Sequence, residues 1–367
     1  MIPYVTPSDL LGDPTAPPSV TGPSDQVTLG INFNQIATER LWEMCYTATA
    51  MVDAIAAQTL RGSSVYEELS GPAHRLGLTP MGLRFITVRK PLLAAVMGQF
   101  STGQPPWTWN PITLANIVPE QPPLTDFSSA SWEAADPGMA SFLIGNVAWA
   151  MCPIRVGLRY LSGWPITGLT PAATTQATFT ASSDSITVTD ATGIVVGAPV
   201  SATLLPVGTT VTAIAGTTVT LSAAATGSGS GTLTVGYAPG VTSLNVDDIT
   251  TWGLGIRGTI FDGTYTESAT STAVTGATMT PTPTGPGTVT LAEPTTYGHL
   301  PGVAWSAMPG AVRWATMLAV KVQALERGST AVVAQATPGR STSAGGSAIS
   351  RTNDTILKLL LPYRRAY

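Results

Sequence analysis

Two short segments of a Thr-rich region decide the fold class, Ser185-Ile-Thr-Val-Thr-Asp190 and Ser243-Leu-Asn-Val-Asp-Asp248. Each alternates apolar and polar residues, which is typical of a half-buried β-strand. A second matching pair follows, Thr218-Val-Thr-Leu221 and Thr288-Val-Thr-Leu291. The first pair is offset by 58 residues and the second by 70, which predicts a duplicated β unit whose second copy carries 12 extra residues. A chance match between low-complexity Thr-rich segments is the alternative.

The region around these segments has the composition of a small β domain. From residue 170 to residue 299 the chain is dominated by Thr, Ala, Gly, Ser and Val, with turn residues recurring about every 8–12 positions. This pattern predicts an inserted β-sandwich-like or barrel-like region over residues 169–300. The two copies are expected at about 172–240 and 241–300.

Outside this region the hydrophobic periodicity is helical. Residues 34–60 place apolar side chains at spacings of three and four, with Gly62 as the expected stop. Residues 311–327 repeat the pattern near the other end of the chain. The prediction is an α+β protein in which both chain ends form a small helical core and the β insert projects outwards.

Other segments complete the predicted domain organisation. Residues 1–30 are rich in Pro, Ser, Thr and Gly and are predicted to form an extended N-terminal arm. Residues 31–168 supply the first part of the core, with the long helix, several strands and a Pro-rich loop at 104–137. Residues 301–337 add the core helix, and residues 338–367 add a linker and a C-terminal docking tail.

The C-terminal tail is the predicted interaction site. A disordered linker over residues 338–350 is expected to lead into a short helix with Asn353 as its N-cap. Apolar, Tyr and Arg side chains follow, and Tyr and Arg are enriched at interface hot spots. Removal of residues 351–367 is therefore expected to leave a folded core; a frayed terminus is the alternative. The predicted docking residues are Ile356, Leu357, Leu360, Leu361, Tyr363, Arg364, Arg365 and Tyr367.

Low charge limits the possible functions. Charged residues make up 10% of the 367-residue chain and the net charge is −4, against about 25% charged residues in an average soluble protein. This balance argues against nucleic-acid binding by charge neutralisation. It favours either burial of much of the surface in an assembly or long uncharged loops.

The cysteine count and the chain start indicate a reducing compartment. Cys45 and Cys152 are far apart and form neither a disulfide framework nor a metal motif. Residues 1–10 lack the pattern of a signal peptide. The most apolar window, residues 139–154, is shorter than the roughly 20 residues of a membrane helix. The sequence therefore predicts no membrane association and assembly in the cytoplasm.

Residues suited to catalysis or to metal binding are sparse. His74 and His299 lie beside turn residues and are interpreted as structural or surface side chains. The Gly-rich run 226–232 lacks a phosphate-loop lysine and is interpreted as a flexible hairpin turn. A carboxylate cluster for Ca²⁺ is possible in composition, but solvated turn acids are favoured for Asp247, Asp248, Asp262 and Glu267. No catalytic, cofactor or metal residues are predicted, and the chain is not expected to be an enzyme.

Four blocks of sequence carry a resemblance. The chain resembles the head-to-tail adaptor (connector) proteins of tailed phages that infect actinobacteria. The blocks cover about two-thirds of the chain in order, and an additional Thr-rich stretch at 172–240 departs from the family pattern. They are Glu68-Leu-Ser-Gly-Pro-Ala-His-Arg-Leu76 leading to Gln99, Tyr160-Leu-Ser-Gly-Trp-Pro-Ile-Thr-Gly-Leu169, Val241-Thr-Ser-Leu-Asn-Val-Asp-Asp-Ile249 leading to Leu291, and Gln323-Ala-Leu-Glu-Arg-Gly-Ser-Thr-Ala331 with Leu359-Leu-Leu-Pro-Tyr-Arg-Arg365.

The resemblance implies a structural role in the neck of a virion. Such a subunit forms a dodecameric ring below the portal protein, and the ring continues the DNA channel without binding DNA specifically. Its other partner is the next neck or tail protein, a stopper or a tail terminator. Two alternatives stay open: another neck or tail structural protein, and a virion surface module whose β insert binds host glycans.

Overall fold

The computed structural model describes the helical core and the β region. The described residues are 2–11, 33, 36–70, 76–79, 82–87, 92–102, 105–119, 141–145, 154–252, 255–262, 266–278, 284–326 and 344–364. They form four α-helices and twenty strands, so the predicted α+β class is confirmed. The helices are α1 (Pro7–Leu11), α2 (Thr38–Ala56), α3 (Gly310–Glu326) and α4 (Ala344–Leu360).

The two strongly periodic helices form as predicted, although α2 begins at Thr38 and ends at Ala56, inside the predicted range 34–60. Helix α2 ends at Ala56 because Ala57 adopts a left-handed conformation at φ 53°, four residues before the expected end at Leu60. The Asp53 carboxylate then accepts the backbone N–H of Leu60 at 3.1 Å. Helix α3 matches the predicted range 311–327 to within one residue at each end.

Helix α4 begins earlier than the sequence indicated. Asn353 was expected to be the N-cap, but it lies inside a helix that begins at Ala344. Part of the predicted linker 338–350 is therefore helical, while residues 338–343 lie outside the described residues. The packing of Ile349 and the burial of Thr352 against the bundle explain why this Gly- and Ser-containing turn is helical.

Helix α3 is the centre of the helical core. It packs against both α2 and α4, which also contact each other directly. Buried side chains such as Val312, Met317 and Val320 occupy several of its faces rather than a single stripe. A helix buried on most sides needs neighbours on most sides, so α2, α4 and part of the β region share one hydrophobic core with α3.

Residues 63–162 form a separate β-sandwich. Its antiparallel sheets have the strand orders β1-β8-β4-β5 and β2-β3-β7-β6. They enclose their own core, which includes Phe85, Phe142 and Tyr160. The predicted first core part, 31–168, thus contains one helix of the central bundle and a distinct β unit. The strands are β1 (Ser63–Ser70), β2 (Leu76–Thr79), β3 (Gly82–Ile86), β4 (Leu92–Thr102), β5 (Asn110–Ile112), β6 (Ile117–Pro119), β7 (Ser141–Ile144) and β8 (Ile154–Ser162).

The Thr-rich region folds into two six-stranded units, named barrel 1 and barrel 2. In barrel 1 the strand order is β12-β15-β10-β11-β14-β13, and a bridge between Pro199 and Thr210 joins the two edges. Its strands are β10 (Ala173–Phe179), β11 (Ser185–Val188), β12 (Val200–Ser201), β13 (Val211–Ala215), β14 (Thr218–Leu221) and β15 (Gly229–Val235). The Gly-rich run 226–232 was interpreted as a flexible turn, but residues 229–232 belong to β15 and pair with β10.

Barrel 2 repeats this arrangement. Its order is β17-β20-β9-β16-β19-β18, with β17 also paired to β18 and Leu169 bridged to Val246. Six equivalent strands therefore follow the same cyclic order in both units. The strands are β9 (Ile166–Gly168), β16 (Ser243–Val246), β17 (Arg257–Phe261), β18 (Glu267–Thr278), β19 (Thr284–Leu291) and β20 (Ala304–Ser306).

The strand register supports the predicted duplication. Ile186 pairs with Val219 in barrel 1, and Leu244 pairs with Val289 in barrel 2. These are the same positions of the two sequence repeats, at offsets of 58 and 70 residues. The register of a strand is fixed because every second side chain must be buried. A chance match between Thr-rich segments would not give the same residue pairing in both barrels.

A β-bulge recurs at the same place in both barrels. It falls between Val211 and Ala213 in barrel 1 and between Ser271 and Ala273 in barrel 2. A bulge bends its strand and increases the local twist. Both barrels therefore bend the equivalent strand with a bulge at the equivalent position, which is further support for duplication.

The two copies are nested rather than consecutive. Strand β9 precedes the whole of barrel 1, yet it takes the place in barrel 2 that β10 takes in barrel 1. The expected second unit, 241–300, therefore lacks both β9 and β20. Barrel 1 has its own core, whereas barrel 2 shares the core of the helices. Barrel 1 alone fits the expectation of a separate insert.

The first residues of the chain are not an extended arm. Tyr4 and Val5 are buried, and the Tyr4 hydroxyl accepts the backbone N–H groups of Leu60 and Arg61 at 3.0 Å each. Asp9 receives a 2.9 Å hydrogen bond from Arg313 on α3. These side-chain contacts explain why residues 2–11 adopt a defined structure, although their composition predicted an extended arm. Residues 12–30 lie outside the described part of the chain.

Barrel 1 is expected to fold on its own. A fragment of residues 171–236 keeps all six strands and a closed core, so it should unfold cooperatively in urea. Its free energy of unfolding should be a few kcal/mol, because a domain of roughly 65 residues buries a small core. A fragment of residues 237–306 is the matched control. It lacks β9 and the helices that complete its core, so it should show no cooperative transition by circular dichroism. Cooperative folding of the control, or its absence in 171–236, would contradict the nested arrangement.

Candidate functional site

Helix α4 and the short 3₁₀ turn that follows it, Leu361–Tyr363, carry five of the eight predicted docking residues, and the structure divides them between buried and exposed positions. Ile356 and Leu360 are fully buried and Tyr363 is 5% exposed. Spacings of three and four residues put these three on one side of the helix. Leu357 in α4 and Leu361 in the 3₁₀ turn lie beside this buried side and are 48% and 65% exposed.

Tyr363 fixes the end of α4 to two other parts of the chain. Its ring meets the edge of the Trp164 ring at a centroid distance of 5.4 Å. Its backbone carbonyl accepts a 2.7 Å hydrogen bond from the buried Gln58 side-chain amide. The C-terminal segment is therefore tied to the end of α2 and to the start of barrel 2.

The predicted docking set is thus only partly available to a partner. Ile356, Leu360 and Tyr363 contribute to the core of their own chain, and a docking role stays a prediction for Leu357, Leu361 and Arg364, which are exposed. Arg365 and Tyr367 lie outside the described residues. The sequence could not separate the two faces, because both carry leucines.

The outer face of α4 is basic. Arg351 and Lys358 are exposed there together with Asp354, and Arg364 is exposed just beyond the 3₁₀ turn that follows the helix. Three positive charges and one negative charge surround the two exposed leucines. An apolar stripe with charged flanks is the usual composition of a helical interface.

A buried charged cluster lies at the junction of the two barrels. The His299 ring is completely buried and lies between two carboxylates. Its Nδ1 atom is 2.6 Å from Asp262 Oδ2, and its Nε2 atom is 2.6 Å from Glu267 Oε1. Both ring nitrogens can donate only when the imidazole is protonated. The arrangement therefore favours a positively charged His299 between two ionised carboxylates.

The pKa values of the cluster define the pH range in which it stabilises the fold. Burial lowers the pKa of His299, but its hydrogen bonds to Asp262 and Glu267 outweigh burial and raise it above 6.5. Burial raises the pKa of Glu267, but hydrogen bonds from His299 and from the Thr296 N–H bring it below 4.5. The His299 contribution is complete below pH 6.5 and is lost as the pH rises through its raised pKa. The Glu267 contribution is present above pH 4.5 and is lost as the pH falls through its lowered pKa.

Backbone contacts place this cluster where the chain passes between the barrels. His299 exchanges two backbone hydrogen bonds with Tyr237, at 2.8 and 3.0 Å. The Tyr237 hydroxyl donates to the Thr170 carbonyl and accepts the Asn245 N–H. Thr170 and Tyr237 flank barrel 1 in the sequence. The cluster therefore fixes the point where barrel 1 joins the rest of the molecule.

The four acids Asp247, Asp248, Asp262 and Glu267 divide between two roles, because Asp262 and Glu267 bind His299 whereas Asp247 and Asp248 bind nearby N–H and hydroxyl groups. Asp247 accepts the hydroxyl of Thr167 and the N–H of Gly168, both at 2.8 Å. Asp248 accepts the N–H of Thr250 at 2.9 Å. Among the described residues these acids do not form a Ca²⁺ cluster, and all four are half-buried and hydrogen bonded rather than freely solvated. No sequence signal could have joined Asp262 to His299, because 37 residues separate them.

Metal and membrane motifs were sought over the same ranges. Within the described ranges, no group of three or more His, Cys, Asp and Glu side chains could hold a metal ion. Both nitrogens of His299 are hydrogen bonded to carboxylates, so the ring offers no free nitrogen to a metal ion. None of the described helices is long and apolar enough to cross a membrane.

No family model, curated protein or solved structure matches this chain. The candidate sites therefore rest on their own geometry. They are the exposed side of α4, for which docking stays a prediction, and the His299 cluster, which lies where the two barrels join. His74 and Cys152 lie outside the described residues. Cys45 is buried, and burial raises the pKa of its thiol to about 12.

Proposed function

We propose that this chain is a non-enzymatic subunit of the ring that joins the head of a tailed phage to its tail. In that role it continues the DNA channel below the portal protein and receives the next neck protein, a stopper or a tail terminator. The ordered blocks of resemblance to connector proteins are one support. The ring is expected to be dodecameric and to be located in the neck of the virion.

One observation carries the proposal. Helix α2 lies near the start of the chain and helices α3 and α4 lie near its end, and the strands of the described residues come between α2 and α3 in the sequence. The three helices nevertheless pack into a single bundle. This is the arrangement that the resemblance implies for a connector core with an insert. A central helix held by two distant parts of the chain also gives a rigid body that can be repeated around a ring.

The charge balance is compatible with this role. A ring subunit hides much of its surface against neighbours, and a channel that passes DNA should not bind it tightly. The net charge of −4 and the low content of charged residues satisfy both requirements.

Barrel 1 supports a second candidate, a surface module that binds host glycans. This unit has its own core, and the only charged residues over 171–236 are Asp184 and Asp190. Its outward-facing strands present hydroxyl and amide groups, such as Gln176 hydrogen bonded to Thr232 at 3.1 Å. Uncharged polar faces of this kind suit neutral sugars, and this role can coexist with a connector core.

Immunogold electron microscopy of virions tests the proposal. An antibody against residues 172–240 should label the neck, between head and tail. Label at the tail tip or along the tube would support a receptor-binding or tail-protein role instead. If denaturant-opened particles also stay unlabelled while an antibody to a capsid protein labels them, the chain is not a virion component and the proposal fails.

A further inference from the structure

One sheet of the small β-sandwich has an outer surface that is polar and aromatic. Val156 and Leu158 of β8 are fully buried in the sandwich core. Side chains alternate along a strand, so Arg155, Gly157 and Arg159 lie on the opposite surface of the sheet β1-β8-β4-β5. Residues paired directly across neighbouring strands share a surface. The strand register therefore defines an outer sheet face made by Tyr66, Glu68, Gln99, Ser101, Arg155 and Arg159.

Tyr66 lies across the middle of the outer sheet face. Its hydroxyl accepts a 3.0 Å hydrogen bond from Gln99 Nε2, two strands away. A Cβ atom at Gly157, on the strand between them, would collide with this hydroxyl. The ring therefore runs along the sheet surface in the space that the glycine leaves free. Tyr66 is nevertheless 42% exposed, so its ring offers an apolar platform to a ligand.

Several polar atoms of the outer sheet face are buried without a hydrogen bond. They are Ser101 Oγ, Arg155 Nε and Arg159 Nε, which have no partner among the described residues. Ser101 is completely buried. Buried polar groups in native proteins are almost always hydrogen bonded to protein, to ordered water or to a bound molecule. Three unpartnered atoms on one sheet face therefore favour a ligand from outside the chain.

The two arginines of this face differ in their surroundings. Arg155 forms a 2.9 Å ion pair with Glu68, and its guanidinium lies 4.6 Å from the centre of the Trp107 ring. Arg159 has no ion pair within the described part of the chain. It lies directly opposite Tyr66 in the strand register. The face thus carries one uncompensated positive charge beside its aromatic platform, and a guanidinium binds a carboxylate with two parallel hydrogen bonds.

The remaining groups favour a sugar over a nucleic acid. Glu68 is exposed, and its negative charge would repel the closely spaced phosphates of a nucleic-acid strand. Carboxylate and amide oxygens of Glu68 and Gln99 can accept hydrogen bonds from hydroxyl groups. A uronic acid combines an apolar C–H face, several hydroxyls and a single carboxylate in one ring. Each of these features has a counterpart on the outer sheet face.

We propose that the outer sheet face binds an acidic saccharide, with a uronic acid ring packed on Tyr66 and its carboxylate bound by Arg159. Glu68 and Gln99 bind hydroxyl groups of the same or the adjoining sugar. The site lies outside barrel 1, and its existence does not depend on a connector role.

Isothermal titration calorimetry of the full chain tests the site with defined tetrasaccharides. The acidic probes are tetragalacturonate, tetraguluronate and the hyaluronan tetrasaccharide, and maltotetraose is the uncharged control of equal ring number. At least one acidic probe should bind, and maltotetraose should bind roughly tenfold more weakly or not at all, because it lacks the charge-assisted hydrogen bonds to Arg159. Added salt should weaken the acidic probe further.

Single substitutions locate the binding. Y66A and R159Q should each weaken the acidic probe by about tenfold or more, whereas Y66F keeps the ring and should retain most of the affinity. Y46A is the matched control, because Tyr46 is also exposed, at 48%, but lies on helix α2. Circular dichroism melting curves establish that each variant is folded. R159Q removes a side chain without an ion pair, so it tests the site even if Y66A is destabilised.

Three results would overturn the inference. The first is that none of the acidic tetrasaccharides binds at millimolar concentration. The second is binding that both Y66A and R159Q leave unchanged, since the ligand would then lie elsewhere on the chain. The third is tighter binding of octathymidylate than of every saccharide, which would assign the outer sheet face to single-stranded nucleic acid.

Discussion

Replacing His299 with alanine is expected to lower the free energy of unfolding by about 3–5 kcal/mol, because removing one partner of a buried ion pair leaves the other charge uncompensated. Here two carboxylates, Asp262 and Glu267, lose the same partner, and their side chains are only 9% and 10% exposed. Urea unfolding at pH 6 measures the change. Glu293 is exposed, and E293Q is the control, for which a change within about 0.5 kcal/mol is expected.

The pH dependence separates this ionic role from simple packing. Wild-type stability should fall as the pH rises through the raised pKa of His299, because the protonated ring is then lost. The H299A variant should lack this alkaline fall. The triple variant H299M/D262N/E267Q removes the charges together and should recover part of the lost stability. An unchanged alkaline slope in H299A would show that the cluster does not hold a proton in this range.

The second large effect is expected on helix α4, where one of two leucines three residues apart is buried and the other is exposed. Leu360 is fully buried and Leu357 is 48% exposed. L360A should cost about 2–5 kcal/mol, the range for buried Leu to Ala changes that leave a cavity. L357A should change stability by less than about 0.5 kcal/mol. Differential scanning calorimetry of both variants gives a comparison within one helix.

This comparison also revises the expected effect of truncation. Removal of residues 351–367 was expected to leave a folded core, on the view that the tail only docks on a partner. Because Ile356, Leu360 and Tyr363 complete the core of their own chain, the truncated chain should lose cooperative unfolding. Equal melting temperatures for L360A and L357A would contradict the buried position of Leu360 and restore the docking view.

Local patterns were sufficient where one face of an element is buried along its length. The helices over 38–56 and 310–326 and the strands at 185–188 and 243–246 follow from periodicity, because burial of one face requires a period of 3.6 or 2. The duplication was also readable, since the same inward positions recur at offsets of 58 and 70 residues. These features depend on near neighbours alone.

Long-range pairing decided the features that the sequence did not reveal. The short strand Ile166–Gly168 carries no repeat signal, yet it completes barrel 2 across the whole of barrel 1. Residues 2–11 have a disordered-type composition, but the Tyr4 hydroxyl and Asp9 find partners at Leu60 and Arg313. The start of α4 at Ala344 depends in the same way on a core built by other helices.

The sequence by itself determined the α+β class, the two periodic helices, the Thr-rich insert and its internal repeat. Each of these follows from the spacing of apolar and polar residues within short segments of the chain. Only the tertiary structure decided the nesting of the barrels, which side chains of α4 are buried, and the two hydrogen bonds that join His299 to Asp262 and Glu267. These features join residues tens to hundreds of positions apart, and their energies come from burial and charge pairing that exist only once the chain has folded.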